Sequence, residues 1–117
     1  MTTYEVTSYS VSLGKLNLLL SGDRVVEIVA GIRCGTGIKG GPVLDIGFIP
    51  NETPLPPNPS EPLYGSIYTT FRPLSEYVYY LDLLRNEKPI EMTIDEKAPY
   101  HHGIRTGQEK IGEGEPE

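Results

Sequence analysis

The first third of the chain alternates between apolar and polar residues. Tyr9, Val11 and Leu13 fall on one side of an extended chain, and the serines at positions 8, 10 and 12 fall on the other. A period of two residues predicts a β-strand, because successive side chains of a strand point to opposite faces. The alternation resumes with leucines at 16, 18 and 20, so Gly14 is predicted to lie at a bulge or bend.

The segment from 24 to 33 repeats this pattern. One of its faces carries four apolar residues, Val26, Ile28, Ala30 and Ile32. The residues that precede it, Ser-Gly-Asp at 21–23, have the composition of a tight turn. Two alternating segments joined by a short polar turn predict a β-hairpin.

Further short strands are predicted along the rest of the chain. The segment 43–49 places Leu44, Ile46 and Phe48 inward, and 66–72 and 90–94 alternate in the same way. Ile104 and Thr106 suit a last edge strand. The segment 64–96 contains the strands predicted at 66–72 and 90–94 and holds five of the eight tyrosines. The bulkiest stretch of the chain lies at its centre, between those two strands.

The centre of that stretch, residues 76–85, fits two structures. As a helix it would be capped by Ser75, and one face would carry Leu74, Tyr77, Val78, Leu81 and Leu84. As a strand it would use the β-forming run Val-Tyr-Tyr and pair with 90–94 through a polar turn. The strand is favoured because two good strands around a polar turn form a consistent hairpin. A strand would bury Asp82 or place it at a cleft, whereas a helix would expose it to water.

These elements predict an all-β protein, a small antiparallel β-sandwich or partly open barrel of six or seven strands. The alternative is an α+β fold with one helix at about 75–86 packed on an antiparallel sheet. One β-rich domain is predicted over residues 1–112, since 117 residues suit one domain. The six prolines of residues 50–62 predict a surface loop, and the acidic end at 113–117 is expected to fray.

The charge distribution argues against nucleic acid as a partner. The net charge is −6, and residues 1–50 are balanced, with four acidic and four basic side chains. All of the excess negative charge therefore lies in residues 51–117, and no basic stripe is available for phosphates. Solubility is a sufficient reason for such a charge.

The location is expected to be cytoplasmic and away from membranes. A single cysteine, Cys34, cannot form a disulfide within the chain, so nothing indicates an oxidising compartment. The start of the chain lacks the basic and apolar regions of a signal peptide. Apolar runs are far shorter than the roughly 20 residues that span a bilayer.

Residues that could carry chemistry are few. His101 and His102 are the two histidines, but adjacent positions fit no familiar ligand spacing, so neither a metal nor a cofactor is predicted. No nucleophile motif is present, and Cys34 is expected to be a buried, inert thiol. Catalysis is therefore disfavoured, although Asp82 with His101 or His102 is kept as the least favoured alternative.

The remaining signal is a concentration of tyrosine with one arginine, the residue types enriched at binding hot spots. The candidate binding residues are Tyr68, Arg72, Tyr77, Tyr79, Tyr80 and Asp82. They lead to the hypothesis of a non-enzymatic binding or assembly module that acts through a Tyr-rich face, with itself or another protein as partner. Exposed edge strands of an all-β domain also invite association. A β-barrel that holds a small molecule is the second hypothesis.

Overall fold

Two β-sheets, one of three strands and one of four, pack together in the computed structural model, which describes residues 2–20 and 24–107. The seven strands are β1 (Thr2–Glu5), β2 (Ser8–Leu20), β3 (Arg24–Gly35), β4 (Val43–Ile49), β5 (Ile67–Pro73), β6 (Ile90–Ile94) and β7 (Gly103–Thr106). One α-helix, α1 (Tyr77–Asn86), and two 3₁₀ turns, Leu74–Glu76 and Pro99–His101, complete the described elements. The predicted class, an all-β protein built as a small β-sandwich or partly open barrel of six or seven strands, is confirmed.

The long hairpin of β2 and β3 is the frame of the four-stranded sheet, whose order is β2-β3-β4-β5. It pairs Tyr9 with Cys34 and Leu18 with Val26, and the register shifts between Leu13 and Leu16. That shift confirms the bulge predicted at Gly14, where φ is +134°, a region that favours glycine. The predicted turn at 21–23 lies outside the described residues.

One pairing differs from the antiparallel prediction. Strands β4 and β5 run parallel, with Ile46 beside Thr70 and Gly47 beside Phe71. Parallel neighbours need a connection long enough to return the chain to the starting end of the sheet. Residues 50–66, which include the proline-rich segment, supply that connection. The antiparallel prediction assumed hairpin connections throughout and missed this crossover.

The two sheets are joined where the chain passes from β1 to β2. Val6 donates its backbone N–H to Ile90 of the three-stranded sheet, whose order is β1-β6-β7. The next residue, Thr7, donates to Gly35 of the other sheet. Adjacent residues therefore bond to different sheets, and this switch closes one corner of the sandwich.

The main core lies between the four-stranded sheet, β6 and α1. Eight buried residues form it: Ala30, Ile32, Cys34, Leu44, Ile46, Phe48, Met92 and Ile94. The inward positions predicted for Leu44, Ile46 and Phe48 are thus confirmed. A smaller cluster of Val26, Ile49 and Phe71 lies apart from it, with Leu18 and Ile28 packed alongside.

Residues 77–86 are helical, so the favoured strand interpretation of 76–85 is wrong and the predicted hairpin with β6 does not form. Pro73 ends β5, and a 3₁₀ turn leads directly into α1. The helix packs Tyr77, Tyr80, Leu81 and Leu84 against the main core. Their spacing of three, four and seven residues matches one helix face. The alternative with one helix at about 75–86 is correct for this segment, except that Val78, expected on the packed face, is 62% exposed.

Candidate binding surface

Strand β2 forms one edge of the four-stranded sheet, and the apolar face of the core continues onto it with less and less cover along the strand. Its residues Tyr9, Val11 and Leu13 pair with Cys34, Ile32 and Ala30, all three of which are buried. Paired residues share a face of the sheet, so these side chains extend the main core layer. Yet their exposed fractions rise along the strand, from 37% for Tyr9 to 41% for Val11 and 76% for Leu13. The core is open at this edge.

Among the described residues, the outer side of the β2 backbone has no strand partner. Alternate residues of an edge strand direct N–H and C=O groups away from the neighbouring strand. In the part of the chain that the structure describes, no other strand pairs with that side of β2. The strand has 13 residues, and from Ser8 to Gly14 it carries neither charge nor proline. It therefore lacks the usual features that prevent strand pairing.

The charge on the strand is locally balanced. Lys15 follows the bulge, and its Nζ lies 3.7 Å from Oε1 of Glu27 on β3. The Lys15 side chain is largely exposed and that of Glu27 is partly exposed, so this ion pair contributes little stability. It does leave the strand without a net charge that would repel a second copy.

The opposite face of the sheet carries a groove of about 540 Å³. Gly31 and Gly47, which are direct partners, lie in its lining and contribute no side chain. Apolar side chains border one end, Leu16, Leu18 and Ile28, and the Arg33–Asp45 pair borders the other. Arg33 binds Asp45 through two hydrogen bonds of 2.7 and 2.9 Å. This pairing raises the pKa of Arg33 and leaves that end of the groove without net charge.

The predicted Tyr-rich residues do not form one open face. Tyr77 and Tyr80 contact Phe48 edge-on, with ring centroids 5.1 and 5.6 Å apart, and burial raises the pKa of Tyr80. Tyr79 lies on the outward side of α1 and is 73% exposed. Tyr68 lies on β5, where its hydroxyl donates to Glu96 at 3.2 Å. Only Tyr79 among these four is a largely open side chain.

The two predicted polar members of that face are held locally. Arg72 makes hydrogen bonds of 2.8 and 2.7 Å to Glu76, four residues later. These bonds lower the pKa of the Glu76 carboxyl. Asp82 is exposed on α1 and accepts a hydrogen bond from Asn86 at 2.6 Å. As expected for a helix, Asp82 faces water and carries no sign of a catalytic environment.

The histidines bond to groups other than Asp82. His102 is buried, and its Nδ1 accepts the backbone N–H of Asp95 at 3.1 Å. Its Nε2 lies 3.2 Å from the carbonyl oxygen of Pro59, so the ring is neutral with the proton on Nε2. Burial lowers the pKa of His102. His101 is exposed beside Asp95, at 3.3 Å. Within residues 2–20 and 24–107, no three potential ligands gather as a metal site.

Cys34 is fully buried in the main core, as predicted. Burial raises the pKa of its thiol to about 12, so the nucleophilic thiolate is essentially absent at neutral pH. The side chain therefore acts as a small apolar residue of the core. Nucleophilic chemistry at this position has no support.

The fold and this surface define a small two-sheet β-sandwich with one open apolar edge. Comparisons with protein-family models, with curated proteins and with solved structures give no match. Across the described residues, no helix has the length and apolar character needed to cross a membrane. Sequence reasoning did not single out β2 as a candidate site, although the alternation of residues 9–13 already indicated its apolar face.

Proposed function

We propose that the protein is a binding and assembly module that associates with a second copy of itself through β2. The observation that carries this proposal is the continuation of the buried core face onto an uncovered edge strand. Exposed apolar area beside unpaired strand backbone favours the addition of another strand. The partner then extends both the hydrogen-bonded ladder and the apolar layer.

The pattern of β2 suits a copy of itself better than an unrelated strand. Residues 8–14 read Ser-Tyr-Ser-Val-Ser-Leu-Gly, which is nearly symmetric in size and polarity about Val11. Two copies paired antiparallel about Val11 would place Tyr9 opposite Leu13 on one face. Serines would meet serines on the other face. A two-fold contact requires such a self-complementary surface.

The proposed role in assembly is the one that the sequence suggested. The proposed contact surface is different, because it is the β2 edge and not the Tyr-rich face. The rings of Tyr77 and Tyr80 pack against Phe48, and Arg72 is paired with Glu76. Little of their apolar surface or hydrogen-bonding capacity therefore remains for a partner. The β2 edge, in contrast, has an apolar face and a free ladder in the same place.

The first test is the molecular mass of the protein in solution. Sedimentation from about 1 µM to about 1 mM should show a monomer–dimer equilibrium, since weak interfaces dissociate in that range. A protein that stays monomeric at all concentrations contradicts the proposal. A dimer whose mass continues to rise would show further contacts beyond β2.

The second test uses a cysteine at the proposed two-fold axis. Val11→Cys should form a disulfide between copies under mild oxidation, because residues opposite each other on antiparallel strands can be bridged. The buried Cys34 does not compete. Val78→Cys, at an exposed valine on the outward side of α1, is the matched control and should not cross-link. Equal cross-linking of both variants, or a dimer that cross-links at neither, contradicts the Val11-centred pairing.

Binding of a small molecule is a second candidate, favoured by the groove with Gly31 and Gly47 in its lining. Its volume of about 540 Å³ is within the range of ligand sites. The groove lies on the face of the sheet that points away from the main core, whereas the second hypothesis from the sequence placed the ligand inside a barrel. A fragment screen by NMR should shift the amides of Gly31 and Gly47; fragments that shift only the β2 edge would argue against it.

A cytoplasmic location is proposed with the assembly role. The free thiol of Cys34 is compatible with a reducing compartment, where disulfides are rare. Fractionation of cells that express the protein tests this location, and recovery from an oxidising compartment contradicts it.

A further inference from the structure

The proline-rich residues 50–64, here called the strap, run along the outer edge of β5 in the opposite direction to that strand. Near the end of β5, the backbone N–H of Ser75 donates to Oδ1 of Asn51 at 2.8 Å. In the middle, the N–H of Phe71 donates to Oδ1 of Asn58 at 3.0 Å. At the start, the N–H of Leu63 donates to the carbonyl of Ile67 at 3.1 Å. The strap thus occupies the place of a neighbouring strand.

Asn58 is the main attachment point of the strap. Its Oδ1 accepts the Phe71 N–H, and its Nδ2 donates to Thr70 Oγ1 at 2.8 Å and to the Pro99 carbonyl at 2.9 Å. The side-chain oxygen thereby takes the place of the backbone acceptor that a paired strand would present to Phe71, while the amide nitrogen binds the Thr70 side chain and the Pro99 carbonyl. His102 adds a second attachment, because its Nε2 donates to the carbonyl of Pro59 at 3.2 Å.

The strap cannot itself serve as an edge for another strand. Six of the residues between 50 and 62 are proline, which has no N–H to donate to a ladder. Asparagine side chains make three of the hydrogen bonds between the strap and β5 or the adjoining turn, and Leu63 is the one strap residue whose backbone N–H donates to β5 among the described contacts. The hydrogen-bonded sheet therefore ends at β5.

We infer that the strap closes the β5 edge and so limits assembly through β2 to two copies. This inference rests on the proposed function. A two-fold pairing through β2 leaves the two β5 strands as the outer edges of the combined sheet. Open edges there would let further copies add and would produce a filament instead of a closed dimer.

The edges of the smaller sheet pose less risk of growth. Strands β1 and β7 have four residues each. Short edge strands offer few unpaired groups and are one of the ways in which proteins prevent edge-to-edge association. The β5 edge, with seven residues, is the one that needs a cover.

Asn58→Ala tests the inference, with Asn86→Ala as the matched control. Asn86 is exposed and bonds to Asp82 within α1, away from β5. In Asn58→Ala the mass measured by sedimentation should rise beyond that of the wild type as concentration increases. Exchange of the Phe71 amide hydrogen should become roughly tenfold faster, because its bond partner is gone. Asn86→Ala should behave as the wild type in both measurements.

The outcomes separate this inference from the proposed function. A monomeric wild type contradicts self-association through β2, and Asn58→Ala should even then gain mass through β5. If the mass of Asn58→Ala never exceeds that of the wild type, the strap inference is overturned, whatever the oligomeric state of the wild type. Asn58→Asp keeps the acceptor for Phe71 but loses both amide donors, so it should form the same larger species at higher concentration. It serves as the test if Asn58→Ala does not fold, and the absence of larger species overturns the inference.

Discussion

Replacement of Leu13 by lysine is the most direct perturbation of the proposed contact. Leu13 is 76% exposed in the single copy, so Leu13→Lys should leave the fold of that copy intact. Full burial of a leucine side chain contributes about 1.5–3 kcal/mol. If pairing buries most of the exposed surface, the two copies of Leu13 together contribute about 2–4 kcal/mol to association.

That free energy sets the expected effect. Since about 1.4 kcal/mol corresponds to a tenfold change in a dissociation constant, Leu13→Lys should weaken dimerisation by roughly 30- to 700-fold. The added ammonium group, which would be placed near Tyr9 of the other copy, should move the effect toward the upper end. Sedimentation equilibrium over a series of concentrations measures the change, and circular dichroism confirms that the variant is folded.

Val78→Lys is the matched control for this variant. Val78 is also an aliphatic side chain, 62% exposed, but it lies on the outward side of α1. Its replacement should leave the dissociation constant within a few fold of the wild type, since isolated surface substitutions change stability by about ±0.5 kcal/mol. A folded Leu13→Lys protein that dimerises as strongly as the wild type would refute the assignment of β2.

Three further results are expected. Phe48→Ala should lower the free energy of unfolding by about 3–5 kcal/mol in urea titrations, because it empties a site fully buried against Tyr77 and Tyr80; a loss below about 1 kcal/mol contradicts this packing. Tyr79→Ala should leave the mass distribution unchanged, whereas a loss of dimer would return the contact to α1 as the Tyr-rich hypothesis had it. The pKa of His102 is lower in the folded chain than in the unfolded chain. As the pH drops below the ordinary histidine value of 6.5, this side chain is protonated first in the unfolded chain, so the free energy of unfolding should fall. His102→Gln should reduce that dependence on pH, measured by urea unfolding at several pH values, and an unchanged dependence contradicts the role of His102.

The pH prediction depends on every charged or titratable group around the His102 ring. Asp95 and Glu96 favour the protonated ring electrostatically, and the hydrogen bond to Pro59 acts in the same direction. Burial opposes them and dominates, so the net shift of the pKa is downward. The ring of Tyr68 packs against His102 with centroids 5.6 Å apart. Exposed His101 lies on the other side of Asp95, with its Nδ1 3.3 Å from Oδ2 of that carboxylate.

The sequence predicted the sandwich because apolar and polar residues alternate strongly along its strands. The prediction failed at 76–85 because the apolar residues of that segment fit both a strand and one face of a helix. Val78, Tyr79 and Tyr80 are strong β-formers, which favoured a strand. In the fold, Val78 and Tyr79 face outward, while Tyr80 packs on Phe48. The helix is stabilised by packing on a core that includes Phe48 of β4, which is far away in sequence. The intrinsic propensities of residues 76–85 carry no information about such a surface.

The candidate surface was predictable in part. The alternation of residues 9–13 identified an apolar face, but whether that face is covered depends on the strand order. Only the order β2-β3-β4-β5 shows that β2 is an edge. The strap was likewise recognised as a proline-rich surface loop, whereas its course along β5 depends on contacts of Asn51 and Asn58 with residues 75 and 71. These long-range pairings leave no local pattern in the sequence.

The two edges of the four-stranded sheet differ chemically in a way that general avoidance of aggregation does not explain. A sheet under that pressure alone would protect both edges with charge, proline or a covering segment. Here β5 is covered by a segment rich in proline, while β2 has a neutral, proline-free run and an apolar face. An open edge on the 13-residue β2 carries a greater risk of aggregation than one on the seven-residue β5, because more unpaired backbone is exposed. The asymmetry is accounted for if one edge is kept for pairing and the other is closed to stop it.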